Sequence, residues 1–286
     1  MIRQLVVGVD GSENSLAAFG YGEYFAARLG CELKAVFVLD SRKTELPFIY
    51  VTGHFDYAFA HPYLTPDAEL KNFYLRLKKD LNTFADSCLE ACAGRCRAKG
   101  IPFIPLKREG LPSAVLSEES RSGDLLLIGQ RGENARLPRT IAGSTTEDIA
   151  RSSPRPLLLC PNSFRPPRKL LFPYDGSITA ERALQFSLNM FSSFWRECVI
   201  LLVGIERPEA LIAEAELRYF KHHQVGYRTV MEKGSPVEAV LRVAEREGSD
   251  IILVGSHGAG KIKDYLLGST TVHLIRKSPL PILIVY

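Results

Sequence analysis

The stretch Val254-Gly255-Ser256-His257-Gly258 directly follows the apolar run Ile251-Ile252-Leu253, and nine residues separate it from Gly268-Ser269-Thr270-Thr271. A buried strand, a loop punctuated by glycines and a helix start are the parts of a phosphate cradle. Glycines let backbone N–H groups approach an anion, and a helix N-terminus adds unpaired donors and a favourable dipole. The hydroxyls of Ser269, Thr270 and Thr271 can donate to phosphate oxygens. These residue types in this order suit nucleotide binding.

The same parts occur a second time. Val9-Asp10-Gly11-Ser12 returns as Tyr174-Asp175-Gly176-Ser177, and Gly129-x-x-Gly132 as Gly255-x-x-Gly258. Gly-Ser-Thr-Thr stands at 143–146 and at 268–271, and Ser-Pro-x-Pro at 153–156 and at 278–281. Four matched landmarks in one order indicate an internal duplication. From Asp10 to Gly129 is 119 positions, against 80 from Asp175 to Gly255, so the first copy carries 39 more. The excess falls after the second strand. The polar, proline-rich run Asn162 to Arg168 reads as the joint, giving a first domain over 1–162, a linker over 163–168 and a second domain over 169–286.

The elements that must position these residues alternate. Residues 2–10, 32–40, 101–106, 124–129 and 156–161 read as strands, with near-continuous apolar runs in most of them. Helical patterns lie between them: Ala18, Tyr21, Phe25 and Leu29 share one face, as do Leu70, Phe73, Leu77, Leu81 and Phe84 in a long helix over about 67–99. Ser12 or Asn14 can cap the first helix. This pattern predicts an α/β fold: two tandem doubly wound (Rossmann-like) domains, each a five-stranded mainly parallel sheet with helices on both faces. Ligands bind such sheets beyond the carboxyl ends of the strands, where Asp10 and Gly129, or Asp175 and Gly255, would meet. Residues 41–70 break the pattern. They are rich in Phe, Tyr, His and Pro, and read as a surface excursion packing its aromatics back on the domain, with a lid or a docking loop as the functional alternative.

Composition narrows the class. A net charge of +4 over 286 residues, without a basic block, argues against a nucleic-acid partner. No apolar run reaches the ~20 residues of a membrane span, and Met1 leads straight into a strand pattern. Six cysteines scattered among apolar positions fit the cytoplasm rather than a disulfide frame. Cys88, Cys92 and Cys96 share a helix face. They read as small apolar residues of a buried stripe, a three-thiolate metal or redox site being the sharper alternative. His222-His223 reads as a solvated helix end, and His54 with His61 as loop residues; none carries a metal motif. Asp10 and Asp175 suit hydroxyl contacts better than a Mg²⁺ cage, since each stands as the one carboxylate of its site. The closing strand Pro281 to Tyr286 lacks edge protection. Its simplest partner is its counterpart at 156–160, which would join the two domains edge to edge; a homodimer beyond that is left open.

The whole chain, apart from the excursion at 41–70, resembles the universal stress protein family. The resemblance rests on Val-Asp-Gly-Ser at the end of the first strand and on the family's Gly-x2-Gly-x9-Gly-Ser/Thr pattern near the end of each copy, complete in the second and one residue longer in the first. It implies a tandem, ATP-binding regulatory protein of the stress response, with an adenine nucleotide, with or without Mg²⁺, as cofactor. An unidentified protein would be its partner, and its hydrolysis would be slow at most. In the second domain the resemblance sets Asp175 near the ribose or adenine and the backbone of Val203 or Gly204 at the adenine edge. Val254, Gly255, His257, Gly258, Gly268, Ser269, Thr270 and Thr271 would surround ribose and phosphates. In the first domain the matching positions are Asp10, Val38, Ile128, Gly129, Arg131, Gly132, Gly143, Ser144 and Thr145. There ten residues, Pro138 among them, separate Gly132 from Gly143, and this makes the second site the expected better binder. The rival reading is a nucleotide-free scaffold that binds a protein or small ligand through the aromatic excursion. Neither Ser-Gly-Gly-x-Asp-Ser nor Gly-x4-Gly-Lys-Ser/Thr occurs, which removes two other phosphate-binding classes.

Overall fold

A computed structural model describes residues 2–44, 68–131, 144–204, 219–256 and 267–286. Ten strands form one continuous sheet in the order β3-β2-β1-β4-β5-β10-β9-β6-β7-β8. The first half contributes β1 (Gln4–Val9), β2 (Glu32–Asp40), β3 (Phe103–Gly110), β4 (Leu125–Gly129) and β5 (Leu157–Cys160). The second contributes β6 (Lys169–Pro173), β7 (Glu197–Val203), β8 (Gly226–Glu232), β9 (Ile251–Gly255) and β10 (Ile282–Val285). Within each half all pairings are parallel. Each half is doubly wound, and its strand order reverses between β1 and β4, or between β6 and β9. The two five-stranded halves meet through β5 and β10, which run antiparallel with Leu158 opposite Leu283. The apolar closing strand therefore has partners on both sides, and two otherwise bare edges disappear into one sheet.

Helices cover both faces. On one lie α1 (Glu13–Leu29), α3 (Ala68–Ala98) and α6 (Ile178–Phe191); on the other lie α4 (Pro112–Ser120), α5 (Ser144–Ser152), α7 (Pro236–Glu247) and α8 (Ser269–Lys277). A single turn, α2, occupies Ser41–Thr44. Of the aromatic excursion read at 41–70, residues 45–67 lie outside the described residues, while its two ends belong to α2 and α3. Across the seam, Tyr21, Tyr24 and Phe25 of α1 meet Phe164 of the connecting run and Phe191 and Phe194 of the second half, with ring centroids 4.8–5.7 Å apart. On the opposite face Arg276 of α8 grips Glu147 of α5 through two bonds of 2.6 and 2.9 Å. The Tyr286 hydroxyl donates to the Ala150 carbonyl at 2.7 Å.

The long helix departs from its predicted stripe. Phe73 and Phe84 remain 58% and 48% exposed, whereas Ala85, Leu89, Cys92 and Cys96 are buried. Lys78 pairs with Glu109, next to the last residue of β3, and Phe84 lies over the turn at Gly11 with its ring 6.0 Å from that of Phe37. Periodicity marks a helix face, and how deeply each residue on it is buried depends on what the strand ends place beneath it.

Candidate functional site

At the end of β1, and again at the end of β6, Asp-Gly-Ser folds into the same turn. The Ser12 N–H donates to the Asp10 carboxylate at 2.9 Å, and the Ser177 N–H to Asp175 at 3.0 Å. Gly11 and Gly176 take φ of 81° and 71°, a left-handed conformation that a side chain would strain. Each serine then caps a helix, Ser12 accepting from the Ser15 N–H and Ser177 from the Ala180 N–H, both at 3.2 Å. The caps are thus Ser12 and Ser177, while Asn14 is buried and points its amide at the Cys160 carbonyl. Asp10 is half-buried and Asp175 exposed.

The strand-end glycines lie against these caps. A Cβ on Gly129 would sit 2.7 Å from the Asn14 Cβ and 3.0 Å from the Ser15 N; on Gly255 it would sit 2.8 Å from the Thr179 carbonyl carbon and 2.9 Å from the Ala180 N. Glycine is needed here because the strand end abuts a helix N-terminus. The sequence reading assigns these glycines to the surroundings of ribose and phosphates and misses Thr179 and Ser15 across from them. The Ser-x-x-Ser spacing at 12–15 was the available signal.

The third landmark closes on the same spot. Gly268 donates its N–H to the Ser256 carbonyl at 2.8 Å and opens α8 with no side chain to cap it. Thr271 is buried and donates its hydroxyl to the Gly255 carbonyl at 3.3 Å; Thr146 likewise reaches the Gln130 carbonyl at 3.2 Å. Its position in the first turn of α8 aims Thr271 at the sheet, so its hydroxyl staples strand to helix. Ser269, exposed, and Thr270, half-buried, are left facing outward. The Ser177 and Thr179 hydroxyls are 3.1 Å apart. The Asp175 turn, Gly255 and the start of α8 are therefore linked in one chain of contacts at the point where strand order reverses.

The remaining predicted residues take several places. Val254 and Ile128 are core residues, 6% and 5% exposed, and can offer a ligand only backbone. Val38 and Val203 are half-buried at the ends of β2 and β7, packed on the core of the α4–α5–α7–α8 face. Gly204 is exposed with φ of 67° and donates to the Glu232 carbonyl at 2.9 Å. Arg131 and Thr145 are half-buried, and Ser144 opens α5. Gly132, Gly143, His257 and Gly258 lie outside the described residues.

The two helix starts differ in charge. Glu147 stands where the second half has Val272, and the Arg276 guanidinium bonded to it holds its carboxyl below the usual range against the opposing effect of burial. Gln130 stands where the second half has Ser256, and its amide donates across the seam to the Ser278 carbonyl at 3.2 Å. Neither residue figured in the sequence reading. Among the described residues no group of three His, Cys, Asp or Glu could hold a metal ion. No helix among them is long and apolar enough to cross a membrane.

Comparison with known proteins agrees with this geometry. The model of the "Universal stress protein family" matches residues 1–161 and 199–286. Universal stress protein Slr1230 of Synechocystis is 26% identical over 290 residues, covering 99% of both chains. Universal stress protein MJ0577 of Methanocaldococcus jannaschii is 33% identical over 153 residues, 94% of its own length but 41% of this chain. A crystal structure of a universal stress protein from Archaeoglobus fulgidus superposes with a TM-score of 0.70 at 22% identity, over 99% of this chain and 97% of that one, a likeness of fold.

Proposed function

Because this chain belongs to the universal stress protein family, as a tandem two-domain member, we propose that it is an adenine-nucleotide-binding regulatory protein whose better site lies in the second half. The observation that carries this reading is the convergence of the Asp175 turn, the Gly255 strand end and the uncapped start of α8 at one switch point. A glycine before the helix leaves its first N–H groups without a side-chain cap from that position. An anionic phosphate suits such donors and the dipole behind them. Ser269 and Thr270 add outward hydroxyls. The family resemblance favours ATP as the nucleotide, with Mg²⁺ carried mainly by its phosphates, because Asp175 is the carboxylate that the second site's turn brings. We propose the joint between the two units at 163–168; Phe164 of that run packs on Tyr21.

The first half is proposed as the weaker site. Its loop carries the extra residue, and Glu147 sets a carboxylate in the first turn of α5 where Val272 is neutral. Binding, rather than catalysis, is the activity these residues support. Among its described residues the site offers donors and the Asp175 carboxylate, and none of them is a nucleophile held by a base.

Mass spectrometry of what the purified protein carries, followed by titration of stripped protein with ATP, tests the reading. Released adenine nucleotide and one strong site per chain are expected. Two equal sites would remove the asymmetry. No nucleotide and no binding heat would leave the scaffold reading.

A further inference from the structure

The seam between the halves follows a local two-fold that exchanges residues 125 positions apart. At that offset Gly143 matches Gly268, Glu147 matches Val272 and Arg151 matches Arg276. Leu158 and Leu283 match as well, and they stand opposite each other where β5 meets β10. On either side of them Leu157 pairs with Ile284 and Leu159 with Ile282, each pair the image of the other. A two-fold makes its contacts twice. The end of α8 comes beside the start of α5, and the end of α5 comes beside the start of α8.

The first of these contacts is the bridge from Arg276, in the last turn of α8, to Glu147, in the first turn of α5. The second is joined through the strand ends. Gly268 donates its N–H to the Ser256 carbonyl, and Ser256 donates its own to the Val285 carbonyl, both at 2.8 Å. The next residue, Tyr286, donates its hydroxyl to the carbonyl of Ala150, the neighbour of Arg151. The two-fold therefore brings Arg151 to Val272 as it brings Arg276 to Glu147. Val272 is a half-buried apolar side chain and cannot take up a charge. Arg151 is exposed and, among the described residues, has no hydrogen-bond or ion-pair partner. The one carboxylate it acts on is Glu147, a turn earlier on its own helix.

We propose that Arg151 of the first half completes the nucleotide site of the second, its guanidinium binding the phosphates held at the start of α8. This rests on the nucleotide reading above and adds that the site is built from both halves. Side chains on a helix lean toward its N-terminus, so the place on α8 that corresponds to the Glu147 carboxylate lies beside the Ser269-Thr270 turn. A guanidinium fork pairs with two phosphate oxygens at once, which suits it to that place. In the first half the equivalent cation is already engaged, because Glu147 holds Arg276. The seam delivers one arginine to each helix start, and at α8 it is left for the ligand.

The test titrates stripped, full-length wild type, Arg151→Gln and Arg276→Gln with ATP and with adenosine by calorimetry. Arg151→Gln should bind ATP about tenfold more weakly, the scale of one hydrogen bond between charged groups, and adenosine as wild type does. Added salt should weaken ATP binding to wild type more than to Arg151→Gln. Arg276→Gln should keep the wild-type affinity of the strong site. Wild-type ATP affinity in Arg151→Gln overturns the proposal and leaves the nucleotide reading standing. Equal losses for ATP and adenosine, or an equal loss in Arg276→Gln, would make the arginine structural and overturn it too. A wild type without affinity for ATP removes the nucleotide reading and this proposal with it.

Discussion

The two halves share a turn, a strand-end glycine and a threonine staple, yet differ in what surrounds them. In the second half the turn opens to an exposed Asp175, and the helix that follows the loop begins Gly268-Ser269-Thr270-Thr271-Val272. In the first, the turn is covered by Phe84 of α3, and the matching helix places Glu147 in its first turn, tied to Arg276. Duplication preserved the parts that hold strand to helix, and divergence fell on the parts a ligand would meet. The shared set is thus a scaffold requirement, and the difference is where function should be sought.

The largest expected effect tests the shared part. Gly129→Val and Gly255→Val each force a side chain into the backbone of a helix N-terminus, so each should cost about 3 kcal/mol of stability, by overpacking that cannot relax onto a flexible neighbour. Guanidinium denaturation measures it. Unequal losses would show that one strand end is not built like the other. A corollary follows for ligand studies: nucleotide lost from a Gly255 variant reports a displaced helix as readily as a lost contact.

Next come the hydroxyls that the tetrapeptide presents in opposite directions. Thr271→Val and Thr146→Val should each cost about 2 kcal/mol, because a buried carbonyl loses its donor. Ser269→Ala should leave stability unchanged and weaken ATP binding about tenfold, the scale of one hydrogen bond to a charged oxygen. Ser144→Ala should change affinity far less. Equal losses of affinity at Ser144 and Ser269 would make the halves functionally alike.

Much of the scaffold was legible because it is periodic. Apolar strands, helix faces and four repeated landmarks locate two doubly wound halves, and an unprotected closing strand points to β10 pairing with β5. What escaped was the facing of individual loop atoms. Nothing in Gly-Ser-Thr-Thr says that its second threonine turns inward; that depends on where the strand carbonyl stands. The apolar stripe of α3 likewise does not say that Phe84 stays half exposed while Ala85, next to it in the chain, is buried. The Glu147–Arg276 bridge joins residues 129 positions apart in different halves, and local pattern carries no information on such pairs.

A smaller effect belongs to the aspartates. Asp175→Ala and Asp10→Ala each remove the acceptor that closes the Asp-Gly-Ser turn, at about 1 kcal/mol. If Asp175 also meets the ribose, its variant loses ATP affinity as well, and the Asp10 variant loses stability alone. Calorimetry on both variants separates the two roles, and an Asp175 variant with full affinity removes that carboxylate from the site.

The smallest effect probes the one-sided bridge. Arg276 lowers the folded-state pKa of Glu147, so the pair contributes its full stability above the unfolded value of about 4.3 and loses it as pH falls through the folded value. The Arg276 side chain is 42% exposed, and solvent screening keeps the contribution below those above. The difference in unfolding free energy between wild type and Glu147→Gln should therefore be constant from pH 7 to 5, shrink below about pH 4, and shrink also in 1 M salt. Val272→Ile, at the matching place in α8, should show no such acid dependence. A wild-type advantage that grows on acidification would mean that Glu147 enters the fold protonated, and the charge argument for a weaker first site would fall with it.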